Sequence, residues 1–326
     1  MVIRFISYFS AIVICQFVFV VLLAPAWTFL ASTILFLALI LIEVIPLSRY
    51  EKFKELFYEK QLYDPSMDLD TAKRVQEALL AIDPPETDRV KIVRRCVPAS
   101  TLGGDFYTFV NKSVRKLSEK PKTKGIVELV DNQEDLIGVT IGDVAGHGVS
   151  SALVMALTSG LLGRIGLNNR SPAVILQRAN IDIQKFISQS QISHVTAFYS
   201  TINLDRMTLT FAGAGHPAAV LLHADLTYEL LEANGIFLGM YPDEVYEEKT
   251  ISLAAGDRLL LFTDGIIETS NALHEPFGTK RLVDLAIMHT DREPDDLVEI
   301  VFEQLYKFRE GETQRDDQTL VVVDIK

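Results

Sequence analysis

Four aspartates in this chain stand at the ends of hydrophobic runs. They are Asp105 in Leu102-Gly-Gly-Asp-Phe-Tyr, Asp143 in Ile141-Gly-Asp-Val-Ala-Gly-His-Gly, Asp264 in Leu259-Leu-Leu-Phe-Thr-Asp-Gly and Asp316 in Arg315-Asp-Asp-Gln-Thr-Leu-Val-Val-Val. Three of the runs (136–141, 258–263 and 319–325) are short, apolar and β-rich, the pattern of core strands. A carboxylate at the mouth of a buried strand does nothing to hold a sheet together. Several of them, contributed from distant parts of one chain, are the oxygen donors a hard divalent cation requires.

Composition narrows the rest. Of 326 residues, 48% are hydrophobic, enough for a large core with apolar sequence to spare. A net charge of −12 and the lack of a long basic patch argue against nucleic acid as a partner. Two cysteines, Cys15 and Cys96, leave no room for a disulfide framework and suit a reducing compartment for the C-terminal part.

The spare apolar sequence is N-terminal. Residues 5–24 are almost wholly apolar and 27–42 carry no charge; at about 1.5 Å per residue the first segment covers roughly 30 Å of hydrocarbon. With Ala24-Pro-Ala-Trp as the turn, 1–47 is predicted to form a transmembrane hairpin with helices at about 5–24 and 27–45. Arg4 precedes it, Arg49, Lys52 and Lys54 follow it, and the turn has no charge. That places both ends in the cytoplasm, at an inner or plasma membrane. A cleavable leader ending at Ala26 is the alternative for the first segment; the second would still thread inward.

Residues 48–83 are charged and amphipathic. Tyr50, Phe53, Leu56, Phe57 and Leu62 form one apolar stripe. Beyond Pro65 a second helix is expected, with Asp68 or Asp70 as N-cap and Ala72, Val75, Ala78, Leu79 and Leu80 at helical spacing. Such a segment either lies on the domain that follows or pairs two copies of the chain and relays a signal from the membrane. Pro84-Pro85 ends it, so 84–326 is the expected catalytic domain.

Within that domain strands are expected at 91–98, at 194–204 and after a 203–205 turn, and the basic stretch 111–124 is expected as a solvated loop. The run Gly142-Asp-Val-Ala-Gly-His-Gly leads from a strand into a helix near Val149, whose N-terminus favours anions. His147 in that loop stays open between a proton-transfer or ligand role and a backbone hydrogen bond. His216, before Pro217, reads as structural.

In order, these motifs resemble the metal-dependent protein phosphatases (the PPM, or type 2C, family), and most closely their bacterial SpoIIE-type branch of stress-response regulator phosphatases. The likeness runs from about Asp68 to Lys326 and includes Gly213-Ala-Gly-His-Pro and Arg315-Asp-Asp-Gln-Thr. It implies an α/β (α+β) sandwich of two antiparallel β-sheets flanked by helices, with two Mn²⁺ or Mg²⁺ ions at one end. Carried over by motif, Asp143 would bridge the ions, the Val144 carbonyl would bind one and Asp105 would complete that site. Asp264 and Asp316 would hold the other ion, with Asp317 a further candidate. The ions would supply an activated water for in-line attack on phosphorus and neutralise phosphoryl charge. Substrates of the family are phosphoserine or phosphothreonine proteins, often anti-sigma-factor antagonists in this branch.

The chain departs from the family pattern in places. Thr108 stands where many relatives have an acid, the 111–124 loop is long, His147 is not at the spacing of the eukaryotic histidine, and no arginine is assignable as a phosphate clamp. Two other classes compete: a catalytically silent phosphatase fold used as a scaffold, and a cyclic-dinucleotide synthase suggested by Gly-Gly-Asp. The second expects Glu-Phe next, where this chain has Phe106-Tyr107.

Overall fold

The computed structural model describes residues 13–14, 33–35, 38, 49–52, 54, 65–85, 87–112, 135–146, 148–168, 171–188 and 194–326. Most of the expected membrane hairpin, 55–64 of the linker, 113–124 of the basic loop and the 125–134 segment after it lie outside the described residues. Met1–Pro65 and Ser66–Lys326 are separate compact units.

The second unit opens with helix α1 (Pro65–Leu80). It continues through β1 (Val90–Val97), β2 (Phe106–Asn111), β3 (Leu136–Val144), α2 (Val149–Asn168), α3 (Pro172–Ile187), β4 (Val195–Asn203) and β5 (Thr208–Ala214). Then come β6 (Ala219–Leu222), β7 (Tyr228–Leu231), β8 (Lys249–Ser252), β9 (Arg258–Phe262), α4 (Asp264–Ile267), α5 (Gly278–Met288), α6 (Pro294–Phe308) and β10 (Gln318–Ile325). The strands form two antiparallel sheets, ordered β1-β10-β9-β6-β7 and β2-β3-β4-β5-β8.

Burial on both faces explains the unbroken apolar strands. Val321, Val323, Leu259 and Leu261 pack between the sheets, together with Ile137, Val139, Ile141 and Phe198 from the opposite sheet. Their neighbours Leu320, Val322, Leu260 and Phe262 face outward onto α5 and α6. The other outer face is covered by α2 and α3. Two antiparallel sheets flanked by helices, the architecture the resemblance implied, are therefore present. Among the described residues α2 is the one helix long and apolar enough to cross a membrane; here it packs on β2, β3 and α3.

Two local expectations need correction. Helix α1 begins at Pro65 rather than after a cap at Asp68 or Asp70. Proline suits a first turn, where its missing N–H has no partner to lose, and Asp68 then sits in that turn near the positive end of the helix dipole. Gln76 is the buried residue of α1, whereas Val75 is 57% and Leu79 39% exposed. The β4–β5 turn spans 204–207 rather than 203–205, with Met207 at φ 48°. Asn203 directs it from the strand end, its Oδ1 accepting the N–H groups of Asp205 and Arg206.

At the far end of β9 from Asp264, buried Asp257 accepts a hydrogen bond from Ala254 N and lies 3.1 Å from His223 Nδ1. Glu229 is 3.5 Å from Nε2. Burial alone would lower the His223 pKa, but the bonds and charges of Asp257 and Glu229 outweigh it and raise the value. A raised histidine pKa contributes stability that is full below the unfolded-state value and lost as pH climbs through the folded-state value. The gap in melting temperature between wild type and His223→Gln is thus expected to be widest near pH 6 and to close above pH 8. A gap independent of pH would contradict this.

Candidate functional site

Antiparallel pairing brings one end of each sheet together. Phe106 pairs with Gly142, Gln318 with Val97 and Leu320 with Phe262. The starts of β2 and β10 and the ends of β3 and β9 therefore share one edge of the sandwich. The two-residue period of each strand continues past its last apolar side chain. Asp105 follows the inward parity of Tyr107 and Phe109, Asp143 that of Ile141, and Thr263 and Thr319 those of Leu261 and Val321. Polar groups thus fill the inter-sheet layer at its mouth. Strand β3 runs on through Asp143 to Val144, beyond the expected stop at 141.

Asp105 is 2% exposed, and its Oδ2 accepts the hydroxyl hydrogens of Thr263 (2.8 Å) and Thr319 (2.6 Å). Burial first, then the charge of Asp143, holds its pKa well above the carboxylate range, and the hydroxyl bonds only partly offset this. Asp143 is pushed up to about 7 by burial and then by Asp264, Asp316 and Asp317. Asp264 is raised by burial and by Glu268, Asp316 by burial and by Asp264 and Asp317. Every charged neighbour acting on these four groups is itself acidic. Crowded carboxylates with no cationic side chain acting on them among the described residues form a site that favours a bound cation.

Gly104 defines where such a cation fits. A Cβ there would lie 2.6 Å from the Val144 carbonyl oxygen and 2.9 Å from Asp143 Oδ1, so these two oxygens converge over a position that only glycine leaves open. The donor set is all oxygen, which suits Mg²⁺ or Mn²⁺ over zinc. Among the described residues no three carboxylates are already gathered around one point, so binding would draw them inward. Asp317 does different work. Its Oδ1 accepts Ala99 N (2.7 Å) and its Oδ2 accepts Gly104 N (2.6 Å), bracing the Gly-Gly loop. His147 lies outside the described residues.

Residues 133–326 match the family model described as Stage II sporulation protein E (SpoIIE). The chain belongs to the SpoIIE family. Over 259 residues it is 27% identical to the phosphoserine phosphatase RsbU of Bacillus subtilis, covering 78% of this chain and 69% of RsbU. The SiaA-PP2C domain of Pseudomonas aeruginosa superposes with a TM-score of 0.62 at 22% identity, over 82% of this chain and 99% of that domain. RsbX in complex with magnesium gives a TM-score of 0.52 at 14% identity, over 75% of this chain and all of RsbX. The globular unit is a PP2C-type phosphatase domain, and the chain is by class a protein serine/threonine phosphatase.

This SpoIIE-family site contains groups that motif reading missed. Gln76 of α1 forms a reciprocal pair with Gly103: its Nε2 donates to the Gly103 carbonyl (2.7 Å), and its Oε1 accepts the Gly103 N–H (3.0 Å). The available signal was a polar residue one turn before Leu80 on the helix. Beside Asp316 a polar cleft of about 260 Å³ is lined by Arg309 and Arg315. Gln76→Ala would leave both buried Gly103 groups unpaired, at a cost of about 1–3 kcal/mol each. The expected result is a drop of about tenfold in kcat/KM, moderated by excess Mn²⁺. An unchanged Mn²⁺ titration would remove Gln76 from the site.

Proposed function

We propose that this chain is a membrane-anchored, metal-dependent serine/threonine phosphatase whose substrate is a regulatory phosphoprotein. The observation that carries the reading is the convergence of Asp143 Oδ1 and the Val144 carbonyl over Gly104, amid carboxylates with no cationic partner among the described residues. Asp105, Asp143 and Val144 would hold one ion and Asp143, Asp264 and Asp316 the other, with Mn²⁺ or Mg²⁺ the ions that suit these oxygens. A bound pair would supply an activated water at neutral pH and charge to stabilise the phosphoryl oxygens. The chain itself presents the carboxylates, keeps Asp105 dry behind Thr263 and Thr319, and braces the Gly103-Gly104 loop through Asp317 and Gln76. The name of RsbU, together with the branch resemblance, favours phosphoserine on an anti-sigma-factor antagonist as the substrate.

The 1–47 hairpin is the anchor in this reading, with domain 84–326 in the cytoplasm and 48–83 between them. The outward Val75 and Leu79 suit pairing of two copies through that segment. The deciding experiment compares phosphoserine, phosphothreonine and phosphotyrosine peptides with the wild type and with Asp264→Ala, alongside membrane fractionation. Turnover of the first two peptides, lost in the variant, with the chain in the membrane fraction, is the expected outcome. A chain that binds a phosphoprotein without hydrolysing it would favour the scaffold reading. A monomeric fragment from Glu86 as active as the full chain would remove control by the 48–83 segment.

A further inference from the structure

The Gly213-Ala-Gly-His-Pro motif has no part in the function proposed above. Gly215 has φ 65°, and a side chain there would run into the Phe237 ring, so glycine is required for the turn that sets His216 against β4. His216 Nδ1 lies 2.9 Å from Thr196 Oγ1. Thr196 stands opposite Asp143 in the β3–β4 ladder, and its Oγ1 accepts the Asp143 N–H at 3.1 Å. The hydroxyl then has one hydrogen to give. Its two acceptors are His216 Nδ1 at 2.9 Å and the Asp143 carbonyl at 3.4 Å, and the shorter bond is favoured. The Nδ1–Oγ1 contact is a hydrogen bond whichever of the two atoms donates. Nε2 is buried with no hydrogen-bond partner, and the Phe262 backbone lies beside the ring. Phe262 ends β9, two residues before Asp264. Burial lowers the imidazole pKa to about 3, so the ring is neutral at neutral pH.

We infer that His216 is a positioning residue: through Thr196 Oγ1 it fixes the Asp143 backbone where β3 meets the strand end that carries Asp264. The contact keeps Asp143 Oδ1 and the Val144 carbonyl aimed at the space beside Gly104. The inference rests on the metal-dependent reading of that site. It gives the histidine no contact with substrate and no proton to transfer.

The test uses the full chain in detergent, with Mn²⁺ binding followed by calorimetry and turnover followed on a phosphoserine peptide. His216→Leu and the near-isosteric Thr196→Val each remove the bond. His216→Asn and Thr196→Ser keep an acceptor and a hydroxyl in place. The first pair is expected to weaken Mn²⁺ binding about tenfold, and the second pair to stay within about threefold of wild type. The double variant His216→Leu/Thr196→Val should lose no more than Thr196→Val alone, which breaks the His216 bond and also removes the acceptor of the Asp143 N–H. The pH profile of His216→Leu should keep its shape. Wild-type Mn²⁺ affinity in Thr196→Val, additive losses, or a reshaped pH profile would overturn the assignment. If His216→Leu does not fold, His216→Ala carries the same test, and wild-type Mn²⁺ affinity in that variant overturns the assignment. Absence of Mn²⁺ binding by the wild type would sink the metal reading and this inference together, whereas normal wild-type binding with unaffected variants would sink the inference alone.

Discussion

Asp143→Asn is expected to abolish turnover and, at the same time, to stabilise the metal-free domain. The activity loss should be roughly 10³-fold, the equivalent of about 4 kcal/mol of transition-state stabilisation. The stability gain follows from the crowding of the site. Burial, and then the charges of Asp264, Asp316 and Asp317, push Asp143 from its ordinary 3.8 up to about 7. A raised carboxylate pKa means that the folded state binds the proton more tightly than the unfolded state. The wild type without metal therefore loses stability as pH climbs from about 4 to about 7, and the asparagine variant is spared that loss. Because Asp143 is partly exposed, a rise of roughly 5 °C at pH 8 in chelator is the expectation. The difference should shrink toward pH 5 and reverse when Mn²⁺ is added, because the ion stabilises the wild type by mass action. Thermal melts of residues 66–326 at two pH values, with and without Mn²⁺, check all three points. A variant less stable than wild type in chelator at pH 8 would show that the carboxylate is satisfied without a cation.

Gly104→Ala carries the second large effect. Its backbone is not in the left-handed region, so alanine is conformationally allowed and the consequence is local. The new methyl carbon would sit 2.6 Å from a backbone carbonyl that cannot move freely, and 2.9 Å from Asp143 Oδ1. The expected result is a loss of about 100-fold in turnover and a Mn²⁺ half-saturation raised by at least about tenfold. Overpacking would cost about 1–3 kcal/mol of stability. Gly160→Ala on α2 serves as the control, since nothing lies within 4 Å of a Cβ there. It should leave turnover unchanged and stabilise α2 by up to about 1 kcal/mol. Full activity in Gly104→Ala would mean that the Val144 carbonyl and Asp143 do not share a cation.

The carboxylate cluster was legible in the sequence because its supports are local. The unbroken apolar runs of β9 and β10 mark strands covered on both faces, and the strand period carries Asp105 and Asp143 to the mouth of the sandwich. The groups that brace the cluster were not legible. Thr263 and Thr319 reach Asp105 across 158 and 214 residues, and Gln76 reaches Gly103 across 27. No periodicity records such pairings. Asp317 shows the same limit from the other side. Next to Asp316 in a motif it reads as another candidate ligand, and nothing there signals that its oxygens also accept the N–H groups of Ala99 and Gly104. The apolar stripe of α1 did not reveal how the helix docks, because the residue that docks it is the polar Gln76.

The most direct test of the central claim is the rate of phosphoserine-peptide hydrolysis by the purified chain, stripped with chelator and then titrated with Mn²⁺ while bound metal is counted. Negligible turnover in the stripped protein, restored as two equivalents bind, is the predicted result. Turnover that persists in the stripped protein, or metal that binds without restoring it, would contradict the account.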